Sequence, residues 1–209
     1  MSGFRRGMIA AASVDPLKKV PLTLTAVQAG STVALNATGS PTVSGLQYRY
    51  GTSGAWSAYT CGTALTLASV EDAVQFQNTE NALSTGSNDY VSFAFSGKIA
   101  ASGNAMSMLN WREVCSDYCY RRMFYNCTGL TQAPELPATT LVSNCYSYMF
   151  SYCKELTSVR VSFTAWGSGN TKNWLYAVAS GGTFHKPSAL PNTRGVSNIP
   201  EGWTVVNID

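Results

Sequence analysis

Cys119-Tyr120-Arg121-Arg122-Met123-Phe124-Tyr125-Asn126-Cys127-Thr128-Gly129-Leu130-Thr131 returns 26 residues later as Cys145-Tyr146-Ser147-Tyr148-Met149-Phe150-Ser151-Tyr152-Cys153-Lys154-Glu155-Leu156-Thr157. Cys, Tyr, Met, Phe, Cys, Leu and Thr keep their places, and seven identities at one offset mark an internal repeat. Within each copy the apolar residues recur in fours. Leu141, Cys145, Met149 and Cys153 stand at i, i+4, i+8 and i+12, and Trp111, Cys115, Cys119, Met123 and Cys127 follow the same spacing. That spacing predicts one side of a helix in each copy. Gly129 falls where the first helix needs a left-handed C-terminal cap. The following Leu130 to Pro137 must be extended, because Pro134 and Pro137 cannot continue a helix. Each unit reads as a helix plus a short extended segment that cannot bury its apolar side alone, so stacked copies bury both.

Outward from the repeats, at about 115–140 and 141–166, the chain supplies two caps. Ser96 to Leu109 is the N-terminal one. Residues 167–209 form the other, with a short helix from Asn170-Thr171 carrying Trp174, Leu175 and Val178, a strand after Gly181-Gly182, and a last strand after Ile199-Pro200-Glu201-Gly202. Farther upstream, Gln77 to Tyr90 is rich in Asn, Ser and Gly and predicts a boundary. The strand Tyr90-Val91-Ser92-Phe93-Ala94-Phe95 is then expected to open the second domain. From Pro21 the period is two: Leu22, Leu24 and Ala26 alternate with Thr23 and Thr25, and Val33 with Leu35, Leu46 to Tyr50, Leu65 with Leu67, and Val74 with Phe76 follow between turn signals. Short strands at that spacing predict an Ig-like β-sandwich. Trp56, after the turn Gly51 to Gly54, is expected to pack on that hairpin. The expected architecture is α+β: an arm over 1–20, an N-terminal Ig-like sandwich over 21–88, and a short leucine-rich-repeat solenoid of helices and short strands, with β-containing caps, over 89–209.

The stretch Met123 to Leu141 resembles the repeat of the BspA-like leucine-rich-repeat proteins of gut Bacteroidetes and their phages. The tail from Asn173-Trp174 through Gly182-Thr183-Phe184 to Ile199-Pro200-Glu201-Gly202-Trp203-Thr204-Val205 is similar to their C-terminal cap, and Pro21 to Asn78 to the sandwich that precedes their repeats. The resemblance implies surface display and adhesion without catalysis. Many relatives carry long repeat arrays, while this chain has two copies.

Composition agrees with display. Charged residues are 12%, about half the usual share, so Ser, Thr, Asn, Gly and Tyr must dress the surface. The formal net charge is +3, and Arg5–Arg6, Lys18–Lys19 and Arg121–Arg122 do not make the basic stripe that nucleic acid requires. No run of 18 apolar residues exists to span a membrane. The start resembles a signal peptide, but its apolar part, Met8 to Ala12, falls short of the roughly 7–15 residues of such segments. It reads as a docking arm, with Phe4, Arg5, Arg6 and Ile9 as contacts to other virion or surface proteins.

Chemistry is sparse. Cys61, Cys115, Cys119, Cys127, Cys145 and Cys153 lack the paired spacing of a zinc site, so they are expected to be free buried thiols acting as small hydrophobes. His185, the one histidine, has no H-x-x-x-H partner, and no G-x-S-x-G elbow or phosphate loop occurs. No catalytic residue, metal ligand or cofactor is expected. The remaining candidates are Tyr118, Tyr120, Arg121, Arg122, Tyr125, Tyr146, Tyr148 and Tyr152, because Tyr and Arg dominate binding hot spots. The expected function is non-enzymatic display: a phage virion accessory, on head or tail, attaching to a bacterial surface or glycan. The alternative is a bacterial cell-surface adhesin for a host protein or glycan. A homo-oligomer is compatible with either.

Overall fold

The computed structural model describes residues 20–41, 43–81, 83–112 and 114–209. The arm contacts Phe4, Arg5, Arg6 and Ile9 lie outside them.

The period-two stretches form strands β1 (Leu22–Ala26), β2 (Ser31–Thr38), β3 (Leu46–Tyr50), β4 (Ser57–Ala58), β5 (Leu65–Leu67) and β6 (Ala73–Asn78). They are followed by β7 (Tyr90–Ser96) and β8 (Ile99–Ser102). One antiparallel sheet runs β5-β2-β7; a second runs β4-β3-β6-β1-β8 and gains β9 (Leu130–Gln132) in parallel at its end. Alternation decides which side chains turn inward. Leu22, Leu24, Val33, Leu35, Leu65, Leu67, Val74, Phe76, Val91 and Phe93 are all buried. The Phe76 and Phe93 rings, one from each sheet, meet edge to face at 5.2 Å. Each such ring contributes about 1.5–3 kcal/mol by leaving water.

These pairings correct the expected Ig-like sandwich over 21–88. β7, expected to open the second domain, pairs with β2 from Thr32 opposite Ser96 to Thr38 opposite Tyr90. β8 pairs with β1, Thr23 opposite Ser102. Without β7 and β8 both sheets would present bare hydrogen-bonding edges, which is costly for strands this apolar.

The larger correction concerns the repeats. Among the described residues there is no α-helix, only a 3₁₀ turn at Ala105–Leu109, so the expected helix-and-strand leucine-rich solenoid does not form. Each copy is instead a run of consecutive tight turns. Arg121, Met123, Tyr125 and Cys127 donate their N–H groups three residues back, to the carbonyls of Tyr118, Tyr120, Arg122 and Phe124. The residues between them donate sideways: Tyr120 to Cys145, Arg122 to Ser147, Phe124 to Met149 and Asn126 to Ser151. The second copy repeats the device, with Tyr146, Tyr148, Phe150 and Tyr152 donating to Asn170, Lys172, Trp174 and Tyr176. An α-helix spends its N–H groups on its own carbonyls four residues back and has none for a neighbouring layer. Here every second one crosses.

The turns also explain the strict four-residue spacing. A helix advances about 100° per residue, so a stripe in fours drifts by about 40° each step. In the turn ladder the conformation itself repeats in fours. Positive φ occurs at Tyr118, Arg122 and Asn126, at Asn144, Tyr148 and Tyr152, and at Asn173 and Ala177. Each unit ends in a short strand: β10 (Glu135–Leu136), β11 (Ser158–Val161), β12 (Thr183–Lys186) and β13 (Thr204–Asn207) pair in parallel in that order. The Asn170–Val178 segment, expected as a helix, is the third turn layer. Gly129, expected as a helix cap, is required by close approach: a Cβ there would meet the Gly97 carbonyl oxygen at 2.0 Å.

Inside the layers rings stack in register. Tyr120 lies on Tyr146 at 5.8 Å, and Phe124 lies between Phe93 at 5.2 Å and Phe150 at 5.5 Å. The ladder thus continues the core between the two sheets. All six cysteines are free, and five are buried. Cys127 and Cys153 donate S–H groups to the carbonyls of Phe93 and Phe124, at 3.1 and 3.0 Å. Burial pushes the thiols of Cys119, Cys127 and Cys153 up, and that of Cys145 to about 12. Cys115 shifts the other way, because the Cys119 thiol hydrogen-bonds to it.

Candidate tyrosine and arginine cleft

The positive-φ residues turn their side chains away from the core, so the layers carry an outer row. Arg122 from the first layer, Tyr148 and Tyr152 from the second and Asn173 from the third converge there. With Tyr125, Ser151, Tyr176 and Val196 they line a cleft of about 330 Å³. That lies at the small end of ligand pockets. Tyr125, Tyr152 and Tyr176 form a ladder along it, with successive rings edge to face at 5.6 and 5.3 Å. Tyr152 is 36% and Tyr176 43% exposed.

Arg122 stands at the inner end. Its guanidinium carbon lies 5.1 Å from the Tyr90 ring, 5.2 Å from Tyr125 and 5.4 Å from Tyr148. Nη1 donates to the Tyr90 hydroxyl at 3.1 Å, while Nε is enclosed without an acceptor. Next to it Arg121 shares the Tyr148 ring, at 5.2 Å, and lies 6.0 Å from Tyr118. Its Nε is also buried without a partner. Ion pairs elsewhere join Lys98 to Glu155 and Arg160 to Glu135; among the described residues no carboxylate pairs with Arg121 or Arg122. Among the described residues the two adjacent cations therefore meet ring faces and the Tyr90 hydroxyl rather than a carboxylate. Burial, and then the charge of Arg122, lower the pKa of Arg121. Burial raises the Tyr90 phenol, but its hydrogen bonds with Arg122 and Thr38 and the two guanidinium charges outweigh that and leave it below its ordinary value.

Six of the eight expected residues, Tyr118, Arg121, Arg122, Tyr125, Tyr148 and Tyr152, gather on or beside this face. Tyr120 and Tyr146 do not. Both are fully buried in the core ladder, and the Tyr120 hydroxyl donates to the Ala105 carbonyl at 2.9 Å. They occupy the second inward position of each four-residue unit, the place Phe124 and Phe150 take one unit later. Tyr90, Ser151, Asn173, Tyr176 and Val196 are additions. Tyr176 takes in the third layer the place that Tyr125 takes in the first, while Ala177 stands where Tyr152 does, and the third layer has lost the Cys, Met and Phe that make the repeat visible. Tyr90 arrives from β7 and carries no repeat signal.

Among the described residues no group of three or more His, Cys, Asp or Glu could hold a metal ion. His185 sits in β12 opposite Arg160, and burial followed by that cation lowers its pKa. No helix among the described residues is long and apolar enough to cross a membrane. Trp56 is half-buried, with the Arg49 guanidinium 4.5 Å from its ring. No protein-family model matches the chain, and no curated protein or solved structure matches it either.

Proposed function

We propose that this chain is a non-enzymatic recognition module that takes a ligand in the cleft between Arg122 and the Tyr125–Tyr152–Tyr176 ladder. One observation carries the reading: apart from Arg122, bonded to Tyr90, and Ser151, bonded to the Asn173 carbonyl, the cleft's polar side chains have no partners of their own. Among the described residues the side-chain amide of Asn173 and the hydroxyls of Tyr125, Tyr148, Tyr152 and Tyr176 make no hydrogen bond within the chain. Such groups on stiff aromatic side chains lose little entropy when a ligand orders them. They are also held on hydrogen-bonded layers, where a binding group keeps its geometry.

The setting we propose is the outside of a phage particle, with attachment to a bacterial surface as the task. The sparse charge of the sequence and the resemblance of its repeat to BspA-like surface proteins support that placement. The test is attachment of fluorescently labelled protein to bacterial cells. The double variant Tyr152→Ala, Tyr176→Ala is expected to lose at least tenfold in attachment while keeping its thermal unfolding midpoint, because both rings are substantially exposed. Unchanged attachment by that variant would remove the cleft from the function.

A further inference from the structure

We infer that the ligand is an acidic saccharide whose carboxylate is taken by Arg122 and whose hydroxyls are taken by Asn173 and the tyrosines. The inference rests on the recognition-module reading above and adds the chemistry of the ligand.

The charge argument comes first. Arg121 and Arg122 place two guanidinium groups around the Tyr148 ring, with no carboxylate paired to either among the described residues. Like charges this close repel, and rings answer a cation only with their quadrupoles. A carboxylate at Arg122 supplies the missing countercharge, through charge-assisted hydrogen bonds about twice as strong as neutral ones. Arg122 already gives Nη1 to Tyr90 and its Nε is enclosed, so Nη2 is the nitrogen left to the ligand on a guanidinium whose position is set.

The second argument comes from what lines the cleft. Val196 is its one aliphatic residue; Arg122, Tyr125, Tyr148, Ser151, Tyr152, Asn173 and Tyr176 all carry hydrogen-bonding groups. A peptide partner anchors by burying apolar side chains in a dry pocket. This cleft offers no aliphatic pocket beyond Val196, and its apolar surface is tyrosine ring face set between donors and acceptors. A ligand dense in hydroxyls, with C–H faces to lay on tyrosine and one negative charge, matches it. The volume, about 330 Å³, suits a terminal residue or two of a chain rather than a long stretch of it.

The test uses the full chain in calorimetric titrations with 3′-sialyllactose, trigalacturonate and a hyaluronan tetrasaccharide. Lactose and maltotriose serve as neutral counterparts, and an acetylated tetraglutamate peptide as the acidic non-sugar. At least one acidic sugar is expected to bind ten times or more tighter than the neutral sugars. Raising sodium chloride from 50 to 500 mM is expected to weaken it several-fold as screening shortens to a few ångströms. Arg122→Gln is expected to lose at least tenfold, Arg122→Lys to recover part of it, and Asn173→Gly, which removes the amide but suits the φ of 50° there, to lose about threefold while melting like the parent. Circular dichroism separates loss of binding from loss of fold. Equal binding of neutral and acidic sugars, or binding of the peptide alone, overturns the acidic-saccharide inference and leaves the module reading standing. Binding to none of the probes, with cell attachment still dependent on Tyr152 and Tyr176, also overturns the inference alone. Attachment indifferent to those tyrosines takes both down.

Discussion

The two-sheet half and the layered half solve one problem, a partner for every buried N–H and C=O, with opposite geometry. In the sheets each strand reaches across to an antiparallel neighbour, and side chains alternate between core and surface. In the layers the backbone divides its donors: half close tight turns within a copy, and half reach the next copy. The first arrangement produces a period of two and the second a period of four. Both need a partner to exist, but the sheet's partners are strands from either half, whereas each turn layer depends on a near-copy of itself or on β7. Phe93 shows where the two meet: its N–H reaches the Met123 carbonyl and its ring stacks on Phe124.

The largest expected effect sets the halves apart by chemistry. Five buried cysteines lie in the layers, while the sheets hold only the partly exposed Cys61. An unfolded thiol loses its proton from about pH 8.5. Cys119, Cys127, Cys145 and Cys153 hold theirs well above that in the folded state, Cys145 to about 12. The folded state then binds more protons, so stability is fully present below pH 8.5 and falls as pH rises, by about 1.4 kcal/mol per pH unit for each such thiol. Urea unfolding between pH 7.5 and 10.5 checks this. A flat profile would mean that the layers are open to solvent.

Next in size is Phe124→Ala, which removes a ring stacked between Phe93 and Phe150. It is expected to cost about 3–5 kcal/mol. Because that ring joins the halves, urea unfolding followed by near-ultraviolet circular dichroism and by fluorescence should show one coincident transition before and after the change. Two separated transitions would break the picture of a continuous core.

Asn126 distinguishes the turn ladder from a helix directly. Its φ is 60°, and its side chain is exposed. Asn126→Gly is expected to be neutral or stabilising, and Asn126→Val to cost about 1–2 kcal/mol. In a helix the order reverses, because glycine is the worse former there. Thermal melts of the pair decide it. The smallest effect is at the surface: Lys98 and Glu155 bridge the halves at 2.6 Å, but both are over 40% exposed. Lys98→Ala is expected to shift stability by less than about 1 kcal/mol in chemical denaturation.

Much of the sheet half was legible because alternation is a local property. Leu22-Thr23-Leu24-Thr25-Ala26 could face a core in no other way, and the strand after Gly181-Gly182 was readable for the same reason. The repeat was legible as a repeat, and its cysteines as inward residues, since burial follows from apolar character whatever the backbone does. The backbone itself was not. Cys119, Met123 and Cys127 in fours suit a helix face over one or two turns, and the mark of the alternative, asparagine at Asn126, Asn144 and Asn173, is weak because tyrosine and arginine share those positions. Of the cleft, the sequence indicated the Tyr and Arg types, but assigned Tyr120 and Tyr146 to a surface they never reach.

By itself, then, the order of residues determined most of which side chains avoid water, the alternation of the sheet strands, and that two segments share one conformation. The tertiary structure alone decided what that conformation is, because a donor sent sideways is satisfied only when a neighbouring layer is already there to accept it. It also decided the cleft. Tyr90, Arg122, Tyr152 and Tyr176 come from β7 and three different layers, and only stacking brings such distant positions onto one face.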